Sequence, residues 1–166
     1  MTNAAITSPY YSYFDNPKGF KRGEDWFRAR AYVGTQMNNL THDTEAICVL
    51  DTENYDPNSN FNVGTYTYTT PIAGYYQINA QISYSVTDMV ANKNYFVKIK
   101  SGAGNVVNKE MQSAYANRLM PGVADCQYLA KGAAITLYAE SESGTNTVDI
   151  DDGNDLTFMS IHFVGI

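Results

Sequence analysis

The most constraining feature of the sequence is a strict alternation of apolar and polar residues near its middle. In the stretch YYQINAQISYSV, the even positions from 76 to 86 hold Tyr, Ile, Ala, Ile, Tyr and Val, and the odd positions between them hold only amides and hydroxyls. A period of two places successive side chains on opposite faces of a β-strand. The pattern therefore predicts a strand with one buried and one polar face. It leaves open whether the polar face contacts water or a neighbouring subunit.

Further strand patterns recur from Trp26 onward, with turn residues between them. They are WFRARAYVG, EAICVLD, TYTYTTP, NYFVKIKS, DCQYLA, AAITLYAES and LTFMSIHFVGI. The gaps SGAGN, SGTN and DDGND supply turn chemistry, and no helical apolar period persists. About eight to ten short strands predict an all-β sandwich or jelly roll. Its interior should contain Ile78, Ala80, Ile82, Ile135 and Leu137.

Charge limits the classes of partner. The chain has 17 acidic and 11 basic residues, a formal net charge of −6, and no run of Lys or Arg. Nucleic acids and anionic membranes are bound chiefly through basic patches, so we expect neither as a partner. The first residues lack the basic start and apolar run of a signal peptide. We therefore expect synthesis in a cytoplasm, without entry into the secretory route.

The two cysteines, Cys48 and Cys126, lie far apart in the sequence and fit no metal-binding spacing. Both fall inside strand-like segments, where a free thiol behaves as a small apolar side chain. We therefore expect two reduced and buried cysteines rather than a disulfide.

Residues 1–27 differ from the rest of the chain. Pro9, Pro17, Gly19 and Gly23 interrupt any regular element, while the aromatic content is too high for a solvated linker. We expect an N-terminal arm that packs either on its own head domain or on a partner, and attachment to a partner is the first interpretation. The predicted attachment residues are Tyr10, Tyr11, Tyr13, Phe14, Phe20 and Trp26.

The run YDPNSNFNVGTYTYTTPIAGYYQINAQIS resembles the signature of the complement-component-q globular head, a relative of the tumour-necrosis-factor jelly roll. The matching positions are Tyr55, Asp56, Pro57, Phe61, Pro71, Gly74 and Tyr76. The segment LAKGAAI, residues 129–135, is similar to a Leu-x-x-Gly-x-x-Val turn of the family, and TFMSIHFVGI is similar to its closing strand. The resemblance covers residues 28–166, and residues 1–27 match nothing in it.

This resemblance implies an antiparallel jelly-roll sandwich of about ten strands that assembles as a homotrimer, with the chain ends at its base. It also implies binding rather than catalysis. The chain departs from many members in having no Gly-X-Y stalk. His162 is either a core or interface histidine held by a hydrogen bond, or an axial histidine of the trimer. The residues expected at the trimer interface are Tyr75, Gln77, Asn79, Gln81, Phe158 and His162.

Few residues of the sequence could take part in catalysis or bind a metal ion. No H-x-x-x-H, G-x-S-x-G or phosphate-loop motif occurs, so we expect no enzymatic activity and no organic cofactor. His42, with Asp43 and Glu45, forms either part of a hydrolytic or metal site or a polar loop. The acidic segment near the C-terminus lacks EF-hand spacing and is either a hairpin turn or a calcium site. Its candidate calcium ligands are Asp149, Asp151, Asp152 and Asp155.

These features predict a non-enzymatic, trimeric structural and binding protein. The first interpretation is a virion component of a virus or bacteriophage, such as a capsid decoration, a head fibre or a tail-fibre tip. Its arm would bind a capsid or tail protein, and its loops would be free to meet a host-surface glycan or protein. The alternative is a secreted or cell-surface recognition module that binds glycan or protein through its loops.

Overall fold

The computed structural model describes residues 27–87, 89–102, 104–113, 118–142, 144 and 147–166, with the backbone alone for residues 105–108 and 113. These residues form thirteen β-strands and no helix, so no helix in this part of the chain could cross a membrane. The strands are β1 (Arg28–Tyr32), β2 (Met37–Leu40), β3 (Ala46–Ile47), β4 (Thr52–Tyr55), β5 (Phe61–Asn62), β6 (Thr67–Thr69), β7 (Gly74–Gln81), β8 (Lys93–Ser101), β9 (Gly104–Ser113), β10 (Gly122–Leu129), β11 (Ala134–Ser141), β12 (Val148–Ile150) and β13 (Phe158–Gly165).

Two antiparallel sheets pack face to face. The first has five strands in the order β10-β7-β13-β1-β4. The second has the order β5-β6-β11-β8-β9, with β3 also paired to β11, and β2 pairs with β12 in a separate ladder. This arrangement confirms the predicted all-β, antiparallel jelly roll. The strands outnumber the expected ten because β3, β5, β6 and β12 are only two or three residues long.

The core lies between the two sheets and is built from the alternating faces of their longest strands. From the first sheet, Ile78, Ala80 and Ile161 are at most 3 % exposed. From the second sheet, Ile135 and Leu137 are fully buried, and Ile82, just beyond β7, is fully buried as well. The predicted interior residues are therefore confirmed.

The predicted alternation ends earlier than expected. Strand β7 stops at Gln81, and Val86, expected to be buried, lies in a turn and is 44 % exposed. Ser83 and Ser85, expected on the polar face, are buried. The Ser83 hydroxyl donates to Asp151 Oδ2 at 2.8 Å. The chain has left the sheet at this point, so neighbouring loops cover both faces.

The prediction for the cysteines is half right. Both thiols are free and Cys48 is buried, but Cys126 is exposed. Burial raises the pKa of the Cys48 thiol well above its usual range, which keeps it protonated. Cys126 lies opposite Gln77 on the edge strand β10. Its side chain therefore points away from the core.

Two buried tyrosines provide a matched test of buried hydrogen bonding. The Tyr84 hydroxyl donates to the carbonyl oxygen of Phe96 at 2.7 Å, whereas the buried Tyr68 hydroxyl has no hydrogen-bond partner among the described residues. We expect Tyr84→Phe to lower the free energy of unfolding by about 1–3 kcal/mol, because it leaves a buried carbonyl unpaired. Tyr68→Phe should change it by less than about 0.5 kcal/mol. Equal effects in denaturant unfolding would contradict this expectation.

The two chain ends lie at the same end of the sandwich, called here the base. Strands β1 and β7 begin at the base, and β10 and β13 end there, because Gly74 pairs with Leu129 and Tyr75 pairs with Gly165. The backbone N–H of Phe163 donates to the carbonyl of Phe27 at 3.0 Å. Whatever precedes Phe27 therefore leaves the sandwich at its base.

Candidate assembly face

The outer face of the five-stranded sheet contains all six residues predicted for the trimer interface. The register of β13 against β7 sets Phe158 opposite Gln81 and His162 opposite Gln77, with Asn79 between them. Tyr75 continues the same row toward the base. We call the outward residues of β10, β7, β13 and β1 the assembly face. The structure brings the predicted residues together, but it contains one chain and leaves the contact between subunits as a prediction.

The amide row is partly held by bonds within the chain. Gln81 Nε2 donates to the backbone oxygens of Asp155 at 2.9 Å and Leu156 at 3.0 Å. Gln77 Nε2 donates to Asn79 Oδ1 at 3.2 Å. Gln81 therefore holds the loop before β13, whereas Gln77 bonds along its own strand and Asn79 Nδ2 donates across to Ser160 Oγ on β13 at 3.5 Å.

Two arginines belong to this face and were not singled out in the sequence. Arg28 lies opposite His162, and Arg30 lies opposite Ser160. The Arg30 guanidinium sits 4.2 Å from the ring centroid of Phe158 and donates to the backbone oxygen of Asn154. The sequence RARAY could have indicated their position, because arginine alternates with alanine in it, and such alternation is typical of a strand with one outward and one buried face.

The composition of the assembly face differs from that of an ordinary solvated sheet. Among the described outward positions of its four strands, there is no Lys, Asp or Glu. The outward residues are Tyr75, Gln77, Asn79, Gln81, Gly122, Ala124, Cys126, Tyr128, Phe158, Ser160, His162, Val164, Arg28, Arg30 and Tyr32. Protein interfaces are enriched in Tyr and Arg and depleted in Lys, Glu and Asp.

The outer face of the second sheet has the opposite character. Lys98 pairs with Glu140 and, at 2.8 Å, with Glu45, which also binds Lys100. Lys100 and then Lys98 hold the pKa of Glu45 below its usual range. Burial lowers the pKa of Lys98, but its bonds to Glu140 and Glu45 outweigh that effect and leave the pKa raised. These alternating charges are typical of a surface that faces solvent.

The base end of the assembly face is exposed and apolar. The rings of Tyr75 and Tyr128 meet edge to face with centroids 5.5 Å apart. Their exposed fractions are 48 % and 57 %, and Val164 and Ile166 beside them are 58 % and 72 % exposed. We call these four residues the base patch.

The acidic segment does not gather into a metal site. Asp149 Oδ1 accepts from the backbone N–H of Asn39 at 2.7 Å, whereas Asp151 faces Ser83 and, at 3.3 Å, Arg118. Asp152 and Asp155 are exposed. No group of three or more His, Cys, Asp or Glu among the described residues could hold a metal ion, so the geometry gives the calcium hypothesis no support.

The other residues predicted to have a function lie either in the loop between β2 and β3 or in the N-terminal arm. His42 lies between β2 and β3, with Nδ1 3.0 Å from Asp43 Oδ2, while Glu45 is held by Lys98 and Lys100. This matches the polar-loop interpretation. The six predicted attachment residues, from Tyr10 to Trp26, lie outside the described residues.

Comparisons with known proteins identify the class of fold. The chain has the jelly-roll fold of tumour-necrosis-factor-like proteins and complement-component-q globular domains. No protein-family model and no curated protein matches the sequence.

Three solved structures illustrate the likeness. Eiger, a tumour necrosis factor from S. frugiperda, matches with a TM-score of 0.63 at 11 % identity, covering 84 % of this chain and 92 % of that one. Murine APRIL gives 0.61 at 10 % identity, covering 83 % and 98 %. The globular domain of the zebrafish complement 1qA protein gives 0.59 at 10 % identity, covering 83 % and 96 %. The fold predicted by the sequence resemblance is thereby confirmed.

Proposed function

We propose that the chain forms a homotrimer through its assembly face and serves as a non-enzymatic structural and binding component of a virion. The observation that carries the assembly is the contrast between the two outer faces. The described outward positions of β10, β7, β13 and β1 hold Tyr, Arg and amide side chains and no Lys, Asp or Glu, whereas the outer face of the second sheet carries a network of Lys and Glu. If both outer faces contacted only water, we would expect both to carry charged Lys, Asp and Glu side chains.

A threefold contact suits the assembly face for physical reasons. Closed symmetry buries the same residues in every subunit. Amide and hydroxyl groups such as Gln77, Asn79 and Ser160 tolerate bridging water in an interface. Phe158, with the Arg30 guanidinium over its ring, adds a planar cation–aromatic pair at the end of the face opposite the base.

The first test is the mass in solution. At micromolar concentration, sedimentation should give three times the chain mass of 18.4 kDa. We expect Asn79→Lys to weaken assembly at least about 100-fold, since an unpaired charge buried in an interface costs several kcal/mol.

The control for this variant is Thr69→Lys. Thr69 is exposed on β6 of the second sheet, so a lysine there should leave the trimer intact. A monomeric mass for the unmodified chain, or equal effects of the two lysines, would contradict the proposed interface.

In the proposed virion role, the N-terminal arm attaches the protein to the particle. The arm joins the head at the base, beside Phe27, while the loops at 33–36, 118–121 and 151–156 lie at the opposite end. Aromatic side chains left in water would form a patch that invites association. Binding of the arm to a capsid or tail protein would cover them and leave the loops facing outward.

Deletion of residues 1–24 tests attachment. We expect incorporation into particles to disappear while the trimer survives, because the residues that form the proposed interface all belong to the described head. Trimer mass and particle load should be measured separately. A full-length variant with Ser at Tyr10, Tyr11, Tyr13 and Phe14 serves as the matched control for arm length, and it should lose incorporation as well.

Two results would contradict this role for the arm. An undiminished particle load after deletion would show that attachment lies elsewhere. Loss of the trimer would show that the arm is part of the assembled head.

A second candidate function is a secreted or cell-surface recognition module that binds glycan or protein through its loops. The likeness to an insect tumour necrosis factor and to a zebrafish complement domain favours it. Neighbouring genes separate the two, since capsid and tail genes beside this one would support the virion role. An upstream signal segment and stalk in the full reading frame would support the alternative.

A further inference from the structure

His162 lies on the assembly face and is half-buried. It belongs to a row that crosses four strands, because Cys126 pairs with Gln77, Gln77 pairs with His162, and His162 pairs with Arg28. Side chains directly opposite each other on one face of an antiparallel pair have Cβ atoms about 5 Å apart. The Arg28 guanidinium sits 5.2 Å from the ring centroid of Tyr55 on β4. The imidazole therefore has a permanent positive charge as its neighbour on β1.

The described groups around His162 on this side of the sheet supply no negative charge. The titratable or charged groups on the outer side of the neighbouring strands are Arg28 and Arg30 on β1, Tyr55 on β4, Tyr75 on β7, and Cys126 and Tyr128 on β10. The acid of β4, Glu53, pairs with Ala31, which faces the core and is 1 % exposed, so it lies on the other side of the sheet. A proton on His162 would thus add a like charge beside arginine.

We propose that His162 makes assembly of the head pH-dependent: the trimer forms while the imidazole is neutral and weakens when the imidazole is protonated. This inference rests on the proposed trimer and adds its regulation. Histidine is the side chain whose charge changes between about pH 8 and pH 5. Closure of the interface removes water from the imidazole, and burial of a charge without a partner of opposite sign is unfavourable. Like charges directly opposite each other on a sheet also repel.

The direction of the effect follows from the number of protons bound in each state. In the separated chain His162 is in contact with water and can accept a proton, whereas in the trimer its proton would be buried beside Arg28. The separated chains therefore bind more protons than the trimer does, and a fall in pH favours the separated chains. Threefold closure repeats the histidine in every subunit, so three protonation sites act on one assembly.

Sedimentation of the full-length chain at about pH 7.5 and about pH 5.5 tests the proposal. We expect the concentration at which half of the protein is trimeric to rise at least about tenfold at the lower pH. The variant His162→Gln has a neutral side chain at both pH values and should lose this difference. The variant His162→Lys carries a permanent charge and should weaken assembly at least about tenfold at the higher pH already.

The matched control is His42→Gln, because His42 is the other histidine of the chain. His42 lies in the loop between β2 and β3, with Nδ1 3.0 Å from Asp43 Oδ2, and it is not part of the assembly face. This variant should keep the full pH response. Circular dichroism at both pH values checks folding, and His162→Asn takes the place of His162→Gln if that variant does not fold.

The possible results separate the regulation from the trimer itself. A trimer that is equally stable at both pH values would overturn the role of His162 and leave the proposed trimer intact. A pH response that persists in His162→Gln would also overturn it and would point to another group, such as Glu53, whose pKa is raised by burial and then by Asp56. A monomeric mass at about pH 7.5 would contradict the proposed trimer, and the regulation would fail with it.

Discussion

Replacing Ile82 with alanine is expected to lower the free energy of unfolding by about 2–5 kcal/mol. Ile82 is fully buried, and its backbone N–H donates to the carbonyl of Pro121 at 3.1 Å. Truncation removes apolar area from the core and leaves a cavity that the bonded backbone cannot easily close. Denaturant unfolding, followed by circular dichroism, measures the loss. If unfolding is irreversible, unfolding rates are compared instead.

The control for Ile82→Ala is Val86→Ala, four residues later on the same side of the sequence pattern. Val86 is 44 % exposed, so its truncation should change stability by less than about 0.5 kcal/mol. A loss at position 82 below the expected range, or a larger loss at position 86 than at position 82, would contradict the burial of these two side chains.

Gly74→Ala should be similarly damaging, with a loss of about 2–4 kcal/mol from overpacking and backbone strain. A Cβ at this position would lie 2.5 Å from Phe163 Cε2 and 2.6 Å from the carbonyl oxygen of Gly165. The carbonyl belongs to the backbone of the neighbouring strand β13, so it cannot swing aside as a side chain would. The glycine is needed for this close approach as well as for the turn before β7.

Gly122→Ala provides the comparison. A Cβ there would meet the carbonyl oxygen of Ala80 at 3.5 Å, an ordinary contact. Since alanine restricts the unfolded chain more than glycine does, this variant should be neutral or more stable by up to about 1 kcal/mol. Thermal unfolding of the two variants side by side tests the argument, and equal losses would contradict it.

The long strands could be predicted because their alternation is local. Strands β1 and β7 bury every second residue, and so does the first half of β13, which matches the alternation in their sequences. Strands β8 and β11 also contain runs of buried residues, because both of their faces are partly covered. The short strands β2 and β12 were not predicted, because their pairing joins segments about 110 residues apart and leaves no periodic signal. Strand β9 was missed because polar residues occupy both of its faces in the sequence GNVVNKEMQS.

The candidate site was only partly visible for the same reason. The amide row on β7 could be found because its polar residues alternate with buried ones. The lack of Lys, Asp and Glu at the described outward positions of β10, β7, β13 and β1 depends on which strands become neighbours, so no single segment shows it. The prediction that Cys126 is buried was wrong, because its neighbours Asp125 and Gln127 are polar and yet lie on the inward side of the edge strand β10. Polar residues usually lie on the outward side of a strand, so the sequence pattern suggested the opposite orientation for Cys126.

The shared position of both chain ends has a practical consequence for protein engineering. Residues Phe27 and Gly165 lie at one end of the sandwich, so a tag joined after Ile166 would emerge beside the arm and crowd whatever the arm binds. The described residues at the opposite end include turns at 33–36 and 151–156. A peptide inserted there would be displayed on the far side of the head, three copies to an assembly if the chain is trimeric, without obstructing the base.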